Sequence, residues 1–345
     1  MSNTNCCLGY DNQKTWYLAR NNGCHMNIQQ LRYLTEIVEQ KLNLTKAAQA
    51  LHTSQPGISR QIRLLEEELK VDLLVRQGNR IAALTEAGRS AVEIARRVLR
   101  DIDNLRSVGA EAANETQGNL VIATTHAHAR YLLIPVVRRF QAQFPEVHLS
   151  LRQGNPDQIV QWVNDGEADV GICTAPTTAM PDLARLPWYQ ISRCVLVPDE
   201  HPLLQIKRIS LADLSHYPMI NLDKSFAGGV AVMSAFDSKK IHPNVVLSAT
   251  DADVIKAFVA SGMGIATLPE IAFDAKRDAG LKSISARHLF EPSTSYVWLH
   301  RQQHLRGFTS NFIHMLSSEW SRPKIDLALR AADVAAEDEL RTQAF

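Results

Sequence analysis

The period of the apolar positions changes along the chain. From Met26 to Gln40, residues Ile28, Leu31, Leu34, Ile37 and Val38 recur at helical spacing. Ala47, Ala48 and Leu51 then mark the inner face of a short helix, and Ile58, Ile62 and Leu65 that of a second. Small alanines let two such helices cross closely. The turn His52-Thr-Ser-Gln-Pro-Gly57 lies between them, with Ser54 placed as N-cap and Pro56 in the first helical turn. Gln55, Ser59, Arg60 and Arg63 fall away from the apolar face of the second helix. Leu73–Val75 and Ile81–Leu84, around the turn Gln77-Gly78-Asn79, predict a hairpin with Arg76 and Arg80 beside its tip.

Thr85 caps a long helix over 86–113. Within it Ala91, Ala95, Val98, Ile102, Leu105, Gly109 and Ala112 alternate in steps of four and three, a heptad seam. A lone helix cannot bury such a seam, so pairing with a second helix is expected; packing on its own domain is the alternative. Asn114–Gly118 is a hinge. Beyond it the texture becomes strands alternating with helices. Strands are expected at 119–123, 148–151, 169–173, 194–198, 219–221, 245–249, 265–268 and 295–300. Helices are expected at 132–144, 157–165, 251–261 and 308–320, with a shorter apolar segment at 211–214. Alternation of this kind predicts parallel sheets in two α/β lobes. Met263 and Trp298 are expected in the core. The tail 321–345 carries helical spacing at Ile325, Leu327, Leu329 and Val334. The expected divisions are an extension (1–25), a helix-turn-helix head with a wing (26–84), a linker helix with hinge (85–117), a two-lobed domain (118–320) and the tail (321–345).

Composition narrows the class without deciding it. The 345 residues are 45% hydrophobic and 21% charged, ordinary for a globular protein. The net charge of +1 means that any nucleic-acid site is a local patch. No apolar run reaches the roughly 20 residues that cross a bilayer, and residues 1–25 lack a signal-peptide core, so a cytoplasmic protein with no membrane partner is expected. Met26 is a candidate translation start, and 1–25 reads as disordered. The five cysteines are odd in number and irregular in spacing, which argues against a disulfide framework. Cys6, Cys7, Cys24 and His25 lack the paired spacing of a metal site. No metal or cofactor is expected.

The helical pair reads as a helix-turn-helix, with Thr53, Ser54, Gln55, Ser59, Arg60 and Arg63 suited to base edges and phosphates in a major groove. Arg76 and Arg80 at the wing suit the backbone or minor groove of duplex DNA. An ordinary helical hairpin with a polar face is the plainer alternative, and the wing argues against it. In the α/β part, Thr124 and Thr125 stand where a strand ends and a helix begins, and Thr174 follows another strand. Such ends bind anions through free N–H groups and hydroxyls. His126 and His128 lie beside them. An enzyme using either histidine would leave the helix-turn-helix unexplained, and no Gly-x-Ser-x-Gly, phosphate loop or paired metal motif is present. No catalytic residue is assigned. A pure solute-binding protein would have a signal peptide and no DNA-reading head.

The run Ala47-Ala-Gln-Ala-Leu-His-Thr-Ser-Gln-Pro-Gly-Ile-Ser-Arg-Gln-Ile-Arg-Leu-Leu-Glu66 resembles the signature of the LysR-type transcriptional regulators. The resemblance covers about residues 26–320. It implies a winged helix-turn-helix, a dimerisation helix and a two-lobed effector domain like a periplasmic binding protein. Ile122-Ala-Thr-Thr-His126, Gln153-Gly-Asn-Pro156, His201-Pro-Leu203 and Thr250-Asp-Ala-Asp-Val-Ile-Lys256 are similar to the CysB/Cbl branch. That similarity implies control of sulfur-assimilation or organosulfur genes, usually by activation. It also implies a homodimer or homotetramer, contact with RNA polymerase, and sulfate, adenosine phosphosulfate, acetylserine or an organosulfonate as effector. The branch reads Thr-Thr-His-Thr-Gln where this chain has Thr124-Thr-His-Ala-His128, and a threonine where this chain has Ala227. Thr125 and Thr174 match. The lost hydroxyls lead to two expectations: a protonated His128 supplies a charge-assisted bond, and the smaller side chains admit a bulkier effector than sulfate.

Overall fold

The computed structural model describes residues 26–78, 80–112 and 117–330. The expectations for 1–25, for most of the hinge and for the tail beyond Arg330 lie outside the described residues. The described part falls into two compact units, dividing after Ile102.

In the first unit, α1 (Ile28–Glu39), α2 (Leu44–Ala50) and α3 (Gln55–Leu69) form as the apolar spacing predicts. Each start is capped. Asn27 and Gln30 form a reciprocal capping box, Asn43 accepts from the N–H groups of Thr45 and Lys46, and Ser54 Oγ accepts from Gly57 at 3.2 Å. The turn into α3 puts His52 at φ +49°, and the Thr53 N–H closes it onto the Ala48 carbonyl at 2.9 Å. Leu34, Ile37, Ala47, Ile58, Ile62, Leu65 and Leu73 make the core. The antiparallel wing strands are β1 (Leu74–Gln77) and β2 (Arg80–Leu84). Arg76 and Arg80 flank the turn as expected, and the strands extend far enough to include both.

The helix α4 (Glu86–Ala112) starts on a Thr85 cap, whose Oγ1 accepts from Gly88 at 2.9 Å. Any Cβ on Gly88 would stand 2.0 Å from the Leu73 carbonyl oxygen, so this close approach requires glycine. The predicted seam needs correction. Ala91, Val92 and Ala95 pack into the head's own core, because two small alanines let the helix lie flat on it. The apolar side chains left outward are Ile94, Val98, Leu105 and Val108. The Ala112 side chain lies outside the described residues.

The second unit contains two five-stranded sheets among the described residues. In the first lobe β3 (Gly118–Thr124) pairs in parallel with β4 (Val147–Gln153) and β5 (Val170–Thr174). Strand β12 (Ser293–His300) runs antiparallel between β5 and β6 (Leu183–Ile191). In the second lobe β8 (Met219–Leu222) lies between β9 (Val245–Ala249) and β10 (Ile265–Pro269), all parallel. Strand β7 (Arg193–Pro198) pairs antiparallel with β10 and with β11 (Leu281–Ser285). The sheets are thus mixed, not parallel as expected. The expectation passed over β6 and β11: β6 contains Pro187 and buries its residues irregularly, without a period of two.

The chain enters the second lobe through Ser192 and returns before β12. Helices α5 (Ile134–Gln143) and α6 (Pro156–Asp165) cover the first sheet, while α7 (Leu211–Ser215), α8 (Ala227–Ser238) and α9 (Ala252–Ala260) belong to the second lobe. Helices α10 (Gly307–Leu316) and α11 (Arg322–Arg330) pack on the first-lobe core, with Ile325 fully buried, so the start of the tail is docked. Trp298 is buried as expected. Met263 is not: it follows the left-handed Gly262 in a surface turn and is 44% exposed.

Glu66 ties α3 to the wing. Its buried carboxylate accepts from the N–H groups of Leu73 (2.9 Å) and Leu74 (3.1 Å) and from both terminal nitrogens of Arg76 (2.7 and 3.3 Å). Glu66→Ala is expected to destabilise the head by about 3 kcal/mol through the stranded donors. Chemical denaturation followed by a probe in the head checks this; a loss under about 1 kcal/mol would contradict it.

Candidate functional site

Capping and the wing together shape one surface of the head. Gln55, Ser59, Arg63, Arg76 and Arg80 line a single groove between the start of α3 and the wing, with Leu44, Pro56, Gly78 and Ile81. Thr53, Ser54 and Arg60 are exposed on the same helix or its cap but do not line that groove. The predicted residues differ in freedom. Arg76 is held bidentate by Glu66, so it fixes where the wing stands, whereas Arg60, Arg63 and Arg80 present their side chains outward. Ser54 spends its hydroxyl on the cap, which orients the α3 N-terminus.

In the two-lobed unit, the C-terminal ends of parallel strands from both lobes face one cleft, the place where open α/β sheets bind ligands. Its walls include Thr125, Ala127, His128 and Thr174 from the first lobe. Leu222, Phe226, Gly228, Thr267, Pro269 and Ile271 come from the second, and Ile191, Arg193 and Ser293 from the crossing strands. The cavity is small, about 60 Å³, room for roughly four to six waters. The expectation of space for a bulky effector is not met here. Ile191, Leu222, Phe226 and Ile271 fill the walls beside Ala127 and Gly228.

Three predicted residues lie elsewhere. Thr124 is fully buried and donates its hydroxyl to the Ile172 carbonyl at 3.0 Å, a structural bond between β3 and β5. Ala227 opens α8 but does not line the cavity; its neighbours Phe226 and Gly228 do. His126 turns away into a contact between lobes. Its Nδ1 lies 3.2 Å from Asp251 and its Nε2 3.2 Å from Asp253. Asp253 also receives Arg130 (2.7 Å), the Tyr131 hydroxyl (2.7 Å) and Lys256 (2.9 Å). Burial raises the Asp253 pKa, but the bonds from Lys256, Tyr131 and His126 outweigh it and hold the carboxyl down to about 2. The ligand atoms of His126, Asp251 and Asp253 lie within 4.8 Å of one another, but Arg130 and Lys256 already compensate Asp253. The cluster is an interlobe clasp. Arg130 and Tyr131 reach it from a π-helical turn, Ala129–Leu133.

His128 is where the structure corrects the sequence reading most sharply. The ring is 3% exposed and bonded only to hydroxyls, Thr125 Oγ1 at 2.5 Å from Nδ1 and Ser295 Oγ at 2.7 Å from Nε2. Burial drives its pKa down to about 4, so it is neutral and cannot be the charge expected of it. A proton on Nδ1 would leave the Thr125 hydroxyl free to donate into the cleft. A proton on Nε2 would commit Thr125 to the ring.

The cation that the sequence reading missed is Arg193, the first residue of β7. It is 3% exposed, donates to the Glu291 carbonyl at 2.8 Å and the Ser293 hydroxyl at 2.7 Å, and lines the cavity. Its position after a strand break carries no local motif. Thr267 was also missed: its buried Oγ1 has no protein partner and it borders the same cavity. Cys173 and Cys194 are buried, and burial raises both thiols, Cys194 to about 11, so neither is a ready thiolate.

A winged DNA-reading head joined to a two-lobed ligand-sensing unit defines a one-component regulator. The head matches the model of the bacterial regulatory helix-turn-helix protein, lysR family, over residues 28–89, and residues 113–321 match the LysR substrate binding domain. The chain is 43% identical over 307 residues to the HTH-type transcriptional regulator SsuR of Burkholderia cenocepacia, spanning 89% of this chain and 100% of that one. It is 41% identical to CysB of the same organism (88% and 97% covered) and 39% identical to cbl of Escherichia coli K12 (85% and 93%). Among solved structures, the cofactor-binding domain of the Cbl transcriptional regulator is similar at TM-score 0.60 and 35% identity, over 63% of this chain and 96% of that one. Full-length CbnR complexed with its target DNA shares the fold at TM-score 0.57 and 24% identity, over 85% and 99%. The protein belongs to the LysR family of DNA-binding transcriptional regulators and is not an enzyme.

Neutral burial of His128 has a pH consequence. The unfolded histidine takes up a proton near its usual 6.5, and the folded one only near 4. Stability therefore falls as pH drops through that window, by up to about 3 kcal/mol for this group. Thermal unfolding between pH 7.5 and 4.5 is expected to show a shallower acid loss for His128→Gln than for the wild type. Equal slopes would contradict the neutral assignment.

Proposed function

We propose that this regulator controls sulfur-assimilation or organosulfur-utilisation genes, usually as an activator, in response to a small sulfur-derived anion. The reading is carried by the cleft: hydroxyls of Thr125, Thr174, Thr267 and Ser293 around a single guanidinium, in a chain similar to SsuR, CysB and cbl. Sulfate, adenosine phosphosulfate, acetylserine and organosulfonates are the candidate effectors. The protein would act in the cytoplasm, where its DNA is, and engage RNA polymerase at the promoter.

Two copies would join through α4. Ile94, Val98, Leu105 and Val108 leave an apolar stripe along it, and a partner helix is the occupant that heptad-like spacing suits. A dimer, or a tetramer built from two, presents paired recognition helices to two half-sites. Effector binding would favour one arrangement of the lobes and so one spacing of the heads, which requires different effector affinities in the two arrangements.

Base and phosphate contacts are assigned to Gln55, Ser59, Arg60 and Arg63 of α3, with Arg80 at the wing and Thr53 and Ser54 at the helix start. Arg60→Ala and Arg63→Ala are each expected to weaken operator binding by about 1–3 kcal/mol, roughly five- to a hundredfold in a gel shift, with effector affinity unchanged. Unchanged shifts for both would remove the recognition-helix assignment. Leu105→Asp, at a position 72% exposed in the single chain, is expected to lower the assembly state in analytical ultracentrifugation. An unaltered assembly would move the interface off α4.

A further inference from the structure

The cleft carries a charge balance and a wall chemistry that narrow its ligand. Arg193 is the only formally charged residue among the described residues lining it, and no carboxylate lines it. No ion pair is made by this guanidinium among the described residues; its partners are a carbonyl and a hydroxyl, both neutral. Burial alone lowers its pKa, with no acid opposing the shift. A guanidinium remains charged under these conditions, so the site holds one uncompensated positive charge out of water. Thr267 adds an unpartnered buried hydroxyl at the same cavity. The N-terminus of α8 adds a third donor: its N-cap is Phe226, which has no side chain able to cap it. The bare Gly228 backbone sits against the guanidinium edge, where an added Cβ would stand 3.5 Å from Nη2.

The rest of the wall is apolar: Ile191, Leu222, Phe226, Pro269 and Ile271, with Ala127. A dianion would bring a second charge that no lining residue neutralises and would press polar oxygens against these side chains. A neutral molecule would leave Arg193 uncompensated.

We propose that the cleft takes a small organic monoanion, its head on Arg193 and Thr267 and a short apolar tail against Ile191, Phe226 and Ile271. The head is a sulfonate or a carboxylate. Hydroxyls reach the cavity from both lobes, an arrangement that suits three tetrahedral oxygens. Because Arg193 binds the two strands that cross between the lobes, neutralising it acts directly on the hinge. This inference rests on the reading of the cleft as the effector site.

The test uses the full chain and isothermal calorimetry, with thermal shift in parallel. The probes are methane-, ethane-, propane- and hexanesulfonate, the carboxylates acetate to hexanoate, inorganic sulfate and phosphate, and the neutral diethyl sulfone. Affinity is expected to rise from one to about three carbons and fall at six, with sulfate at least tenfold weaker than the best monoanion and the sulfone not binding. A sulfonate optimum or a carboxylate optimum each supports the proposal and identifies the head. Sulfate or phosphate as the tightest ligand overturns it and leaves the effector cleft standing. No binding by any probe overturns both. Arg193→Gln is expected to weaken the best monoanion at least tenfold and abolish its preference over the sulfone. Because Arg193 also holds the strand crossing, Gly228→Val serves as the second variant. Its Cβ makes ordinary contacts, 3.4 Å to Leu222 and 3.5 Å to Arg193, and its methyls shorten the cavity. It is expected to shift the optimum to a shorter tail; an unchanged chain-length profile in both variants overturns the placement. Operator binding without ligand, read by gel shift, separates loss of the ligand site from loss of the regulator.

Discussion

A guanidinium buried where two lobes cross must be satisfied by whatever surrounds it, and at Arg193 the surroundings are neutral. Its bonds to the Glu291 carbonyl and the Ser293 hydroxyl join the outgoing strand to the returning one. The same side chain borders the cavity. One residue therefore joins the wall of the cavity to the strands that cross between the lobes. A surface arginine would be screened and would carry little of this coupling.

The clasp around Asp253 joins the same two lobes away from the cavity wall. Four residues separate Tyr131 from His126, and both reach Asp253, while Thr125 and His128 from the same stretch line the cavity. His126 and His128 stand two positions apart on the short helical turn capped by Thr125 and so point to different sides, while Arg130 and Tyr131 reach the clasp from the π-helical turn that follows. The two lobes are thus joined by two chemistries: compensated ion pairs at the clasp and a guanidinium with neutral partners at the strand crossing.

The head follows a different logic. Its geometry is set by buried Glu66, which accepts two backbone N–H groups and the Arg76 fork and so fixes the wing against α3. Arginines that look equivalent in the chain then differ in role. Arg76 is structural in its contacts, while Arg60, Arg63 and Arg80 stay exposed to solvent.

The helix-turn-helix, the caps at Ser54 and Thr85, the long α4 and the cleft residues Thr125 and Thr174 were legible from the chain alone, because caps and apolar spacing are local signals. The wing strands were legible to within two residues. The strands β6 and β11 were not, since their pairing is long-range and β6 contains Pro187. The heptad seam was half legible: spacing marks apolar positions but does not say that Ala91 and Ala95 face the head's own core. His128 shows the limit most clearly. Its residue type suggested a switchable charge, and only the packing of Thr125, Ser295 and the first-lobe core around it makes the ring neutral. By itself the sequence determined the class of the protein and the location of the cleft, because periodicity, capping and strand ends act within a few residues. The tertiary structure decided which group carries the positive charge, because desolvation and the absence of a nearby carboxylate at Arg193 arise only when strands 100 residues apart along the chain meet.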